Sequence, residues 1–177
     1  YGYNTIGGST WDCEADYIGI DVTVAGSESA TKLTFYAQQS NNTHTMKGAI
    51  YSGTTKVAET DAVNMTGAAS PAWYDLPFAS PPALSAGSYK LVIGVTDQSG
   101  ETADYFYDAP GGAQGFWQSN TYAGTMPGTL DLSADAMTRK PSLYLTTSAG
   151  SSPVLVGESL TQYLCAVSAV WISSNVS

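Results

Sequence analysis

The sequence predicts an all-β protein, an antiparallel β-sandwich of jelly-roll-like type carrying a C-terminal apolar extension. Apolar residues recur with period two in short runs, the alternation of strands that bury one face. Clusters of Gly, Pro, Ser and Asn separate these runs and favour turns. No repeat stands out at a fixed period of 20–50 residues, which disfavours a solenoid or propeller.

The first clear strand alternates Ile18, Ile20, Val22 and Val24 against Tyr17, Gly19, Asp21 and Thr23. Leu33, Phe35 and Ala37 then alternate with Lys32, Thr34, Tyr36 and Gln38. Met46, Gly48 and Ile50 oppose Lys47, Ala49 and Tyr51, and Ser52-Gly53 turns the chain into Lys56-Val57-Ala58. Tyr74, Leu76 and Phe78 oppose Trp73, Asp75 and Pro77. Leu91, Ile93 and Val95 form an inward stripe, and 105–107 and 143–145 are shorter candidates. Seven or eight such strands suit a two-layer antiparallel fold.

Two regions break this rhythm. Residues 108–139 read as a long Gly-rich connection bearing Phe116, Trp117, Tyr122 and Met126, and loops of that length are often functional. The domain organisation expected is a sandwich over 1–147, a linker over 148–157 and an apolar extension over 158–177. In that extension Leu160, Tyr163, Leu164, Val167, Val170 and Trp171 fall at helical spacing, with Ser159 opening a capping box. Read with period two, the same stretch through Ile172 is a strand apolar on both faces, so helix and strand both remain open.

Composition narrows the function. Six Lys and Arg against fifteen Asp and Glu give a net charge of −9. That balance argues against nucleic acid, which needs clustered cations to neutralise phosphate, and against an anionic membrane surface. No run reaches the ~20 apolar residues of a membrane-spanning helix. A chain starting at Tyr1 instead of Met suggests maturation and export. The sequons at Asn41, Asn64 and Asn175 agree, as candidate glycosylation sites.

Catalytic groups are sparse. His44 is the single histidine, in a polar stretch that reads as a surface turn, and no Gly-x-Ser-x-Gly elbow is present. Asp97, Glu101, Asp104 and Asp108 lie within a strand–turn–strand region, with Asp131 and Asp135 in the long loop. Those four carboxylates are a weak calcium candidate, since that cation takes six to eight hard oxygen ligands. No other cofactor is expected, and acidic turn residues are usually solvated. Phe116, Trp117 and Tyr122 could form a sugar-stacking platform on the long loop, whereas Trp73 reads as a cross-strand pair. Cys13 and Cys165 could form a disulfide within one chain or between neighbours, or remain two buried thiols.

Five segments together carry a resemblance: 1–8 (Tyr-Gly-Tyr-Asn-Thr-Ile-Gly-Gly), 49–52 (Ala-Ile-Tyr-Ser), 73–76 (Trp-Tyr-Asp-Leu), 84–93 (Leu-Ser-Ala-Gly-Ser-Tyr-Lys-Leu-Val-Ile) and 140–145 (Lys-Pro-Ser-Leu-Tyr-Leu). Over residues 1 to about 147 the chain resembles a recurrent β-sandwich module of bacterial, archaeal and phage surface proteins. The resemblance lies in strand-and-turn pattern and includes no catalytic signature. It implies an extracellular or virion-exposed, non-enzymatic domain used for display, adhesion or assembly. The extension and the two cysteines depart from that pattern, as an assembly subunit would.

The expectation is therefore a structural subunit of a filament or virion surface that partners with itself. Residues Leu160, Tyr163, Leu164, Val167, Val170, Trp171 and Ile172 would supply a strand to a neighbour's open sheet. Tyr1–Thr10 is a second candidate donor. A carbohydrate-binding or adhesion module engaging surface glycans is the alternative, and a glycan-active hydrolase using Asp or Glu a further one.

Overall fold

A computed structural model describes residues 1–40, 44–65, 70–98, 102–119, 122, 124–132 and 136–149. The described residues are all β, in two antiparallel sheets packed face to face as a β-sandwich. In chain order the strands are β1 (Ser9–Asp12), β2 (Asp16–Val24), β3 (Glu28–Gln39), β4 (Thr45–Ser52) and β5 (Thr55–Glu59). Then come β6 (Val63–Asn64), β7 (Ala72–Pro77), β8 (Ala83–Leu84), β9 (Gly87–Val95) and β10 (Ala103–Asp108). The last four are β11 (Gly115–Ser119), β12 (Ala136–Met137), β13 (Lys140–Pro141) and β14 (Leu143–Ala149). No helix among the described residues is long and apolar enough to cross a membrane.

One sheet centres on β3, a strand long enough to pair with β7 and β8 along one edge and with β14 and β10 along the other. The second sheet runs β12-β11-β2-β9-β4-β5. The period-two faces read from the sequence are the faces observed. Ile18, Ile20, Leu33, Phe35, Met46, Ile50, Leu76, Leu91, Ile93 and Leu143 meet between the sheets and are buried. Burying an aliphatic side chain of this size contributes about 2 kcal/mol, so this layer dominates the fold's stability.

The region 108–139 is not one long loop, as the sequence suggested. It holds β11 and β12, and Tyr122, Met126, Leu130 and Leu132 pack over the outer face of the second sheet. There Tyr17, Ala49, Tyr51, Val92, Phe116, Tyr122, Met126, Leu130 and Leu132 form a second buried cluster. Backbone and side-chain bonds tie this cover down: Tyr51 OH donates to Pro127 O at 2.8 Å, Lys56 N–H to Gly128 O at 2.9 Å and Leu130 N–H to Thr54 O at 2.8 Å. Glycines make the room. A Cβ at Gly19 would lie 2.4 Å from Phe116 ring carbons, and one at Gly94 3.0 Å from the Tyr122 ring. The sequence held a signal for this: 91–95 is apolar at every position, as expected of a strand covered on both faces.

Three further expectations need correction. His44 is not a surface imidazole; it is fully buried, Nδ1 3.0 Å from Thr96 O and Nε2 3.2 Å from Glu14 Oε1. Tyr1–Thr10 folds onto its own body. Tyr3 N–H donates to Leu143 O, Leu145 N–H to Tyr1 O, and Ser9 and Thr10 pair with β10, so this stretch is not held out as a donor. The sandwich also runs past 147, because Ser148 and Ala149 remain in β14, paired with Ser29 and Glu28. The rest of the expected linker and extension lies outside the described residues.

Candidate functional site

The feature with most capacity to act is an open edge on β2. Along one side β2 pairs with β9 from Tyr17 to Val24. On its other side it pairs with β11 only from Asp16 to Gly19, because β11 begins at Gly115 beside Ile20. Among the described residues, Ile20–Val24 therefore carries ladder partners on one side only. Backbone amides and carbonyls along such an edge form a template for another strand.

A groove of about 520 Å³ runs along this edge. Asp21, Val22 and Thr23 form one wall; Tyr1 and Gly2 close one flank, and 113–116, Leu132, Ala136 and Lys140 the other. Its apolar surface comes from both sides of the sheet. Ile20 and Val22 belong to the layer between the sheets, whereas Phe116 and Leu132 belong to the outer cluster. Small residues keep the groove open: Gly2, Ala113, Gly115 and Ala136 all line it. Gly2, at φ +113°, could not be replaced freely, since a Cβ there would lie 2.6 Å from Leu143 O.

Polar groups sit at the rim. Lys90 Nζ bonds Asp21 Oδ1 at 2.8 Å and stands 4.8 Å from the Phe116 ring centre. Lys140 Nζ lies 4.5 Å from the centre of the Tyr3 ring. The Tyr1 hydroxyl donates to Glu28 and accepts from the Ala25 amide. Hydrogen bonds from Thr147 and Tyr1 hold the Glu28 carboxyl below its ordinary range, and the bond to Glu28 raises the Tyr1 phenol. These contacts pin the N-terminal flank to the end of β14. The arrangement can bind an extended segment by main-chain bonds and side-chain burial.

The three aromatic residues read as a stacking platform are not assembled into one. Phe116 and Tyr122 are buried in the outer cluster, and only Trp117 reaches solvent, at 38% exposure. The cause is strand alternation: Phe116 faces outward beside Gly19, whereas Trp117 pairs with Ile18 and points the other way. Trp117 Nε1–H donates to Asp16, whose carboxyl burial raises above its usual range despite that bond. Trp73 is a cross-strand partner, as expected, within a cluster of Tyr36, Trp73, Phe106 and Tyr144 at centre distances of 4.9–5.4 Å.

The acidic grouping is dispersed. Asp104 and Asp108 lie four residues apart on β10, about 13 Å at strand rise. Asp104 accepts from Gln38, and Asp108 accepts from the Tyr3 hydroxyl and the Gly8 amide. Asp97 lies beyond the end of β9, and Glu101 is outside the described residues. No group of three His, Cys, Asp or Glu side chains among the described residues could hold a metal ion. Cys13 is fully buried, with Sγ donating to Ala103 O at 3.1 Å, and desolvation pushes its thiol well up. Joining it to a neighbouring chain would require that shell to open; Cys165 lies outside the described residues. Asn64 is exposed on β6, where its Oδ1 accepts from Thr45 at 3.0 Å, and Asn41 and Asn175 lie outside. The seven apolar residues from Leu160 to Ile172 are likewise outside the described residues.

No protein-family model, curated protein or solved structure matches the chain. The functional reading therefore rests on the groove.

Proposed function

We propose that this chain is a non-enzymatic structural subunit of an extracellular assembly, a pilus-like fibre or a virion surface, whose copies join by strand addition at the open edge of β2. One observation carries the reading: among the described residues, Ile20–Val24 is paired on one side only and fronts a groove that reaches apolar side chains of two layers. The donor is the segment 160–172. An inserted strand would direct alternate side chains toward Val22 and toward Phe116, so it must be apolar on both faces. Tyr163, Cys165, Val167, Ala169 and Trp171 on one face, and Leu164, Ala166, Val170 and Ile172 on the other with Ser168 as the one polar interruption, come near that requirement.

A labelled peptide of residues 158–174 tests this. It should bind the chain lacking 158–177, and Thr23→Lys, which places a charge on the groove wall, should weaken binding at least tenfold. Electron microscopy of the full chain at high concentration should show polymers that the truncated chain never forms. Absence of peptide binding to a folded truncated chain would remove the reading.

A further inference from the structure

We infer that in the isolated subunit the segment 160–172 occupies the β2 groove of its own chain, so that assembly proceeds by exchange of this segment between copies. This rests on the function proposed above and adds the resting state from which assembly starts.

The position of the last described strand carries the inference. β14 ends at Ala149, whose register partner is Glu28, the first residue of β3. β2 ends at Val24, and residues 25–27 alone connect it to Glu28 across the two sheets. Packed sheets lie about 10 Å apart, so the chain leaves β14 close to the Val24 end of the groove. Tyr1 marks the same place. It lines the groove while its hydroxyl bonds Glu28 and Ala25 and its backbone bonds Leu145. The intervening stretch 150–159 spans up to about 33 Å when extended, enough to turn back into the groove of its own chain.

Proximity then decides the competition. A tether of this length presents its own segment at an effective concentration on the order of millimolar, above the free concentration of other copies in dilute solution. Self-capping also covers the apolar groove and the unpaired edge, so the monomer stays soluble. Exchange of the same strand between copies makes the same contacts. A shortened tether shifts the balance, as it does in domain swapping.

Two variants of the full chain test this. Thr23→Cys places a thiol on the groove wall, within reach of native Cys165 if the segment lies beside β2; Val57→Cys, exposed on the far edge strand β5, is the control. With diamide as oxidant at micromolar protein, Thr23→Cys should give an intrachain cross-link at least tenfold more abundant than Val57→Cys. The second variant deletes 150–159. Ala149 then joins Leu160 directly, one Cα step of about 3.8 Å, less than the distance between sheets. Light scattering should then show its mass rising from one chain to multiples. Cross-links solely between chains, or none in a chain that still assembles, would overturn self-capping and leave strand addition standing. A folded deletion variant that stays monomeric would overturn both.

Discussion

Nε2 of His44 lies 3.2 Å from Oε1 of Glu14, with the imidazole fully buried and the carboxylate side chain 13% exposed. Nδ1 faces Thr96 O, and the His44 amide donates to Gln39 Oε1 at 3.0 Å. The contact joins the β1–β2 connection to the start of β4. Removing one partner leaves a buried polar atom of the other without its contact, which costs about 1–3 kcal/mol. His44→Ala should lower urea stability by that order, and Glu14→Gln by less. The double variant should lose less than the two single losses added, which a double-mutant cycle measures directly.

Gly19 sets the limit on the outer cluster. A Cβ there would fall 2.1 Å from Leu91 O and 2.4 Å from Phe116. The first of these is backbone and cannot rotate aside. Gly19→Ala should cost about 2 kcal/mol or more, with the groove disturbed through Phe116. Gly26→Ala, with nothing within 4 Å, should change the melting temperature little.

Acid should destabilise the fold. Lys32 beside Asp75 holds that carboxyl low; the Tyr3 hydroxyl and the Gly8 amide do the same for Asp108, and Thr147 and Tyr1 for Glu28. At Glu59 burial raises the carboxyl, but bonds from Lys47 and Lys56 outweigh it and leave it lowered. A carboxyl lowered in the folded state adds stability above its unfolded value of about 4, and that stability is lost as pH falls through the folded value. Asp16, raised by burial, has the opposite sign and is alone among these. The melting temperature should therefore fall between pH 5 and 3. Glu59→Gln should flatten that fall.

At the alkaline end the buried phenols act. Desolvation pushes Tyr105 and Tyr122 up to about 12 and Tyr51 higher still. Their contribution is full below the unfolded value of about 10 and is lost as pH rises through the folded values. Absorbance titration should show these three ionising last, together with unfolding, while Tyr1 and Tyr3 titrate in the intact fold.

Much of the sandwich was legible in the chain, and one short strand shows where legibility ended. Ile18, Ile20, Val22 and Val24 announce their shared face because alternation is a local property of an extended backbone. β1 was missed: Ser9–Asp12 is exposed along its length and has no apolar alternation to report. Phe116 reads as a loop residue in the sequence because its partner, Gly19, is distant along the chain, and a glycine gives no sign of the ring that will cover it. His44 was misread for the same reason, its polar neighbours saying nothing of Glu14 or Thr96.

The sequence by itself determined the fold class, the inward stripes and the acidic charge balance, because each depends on near neighbours or on simple sums. Tertiary structure alone decided that β11 would stop beside Ile20, leaving Ile20–Val24 with ladder partners on one side among the described residues. It alone tied Tyr1, which lines that groove, to Leu145 of β14. Strand length against a partner is fixed by pairings between distant segments, so no local pattern of residues could have shown where the sheet would remain open.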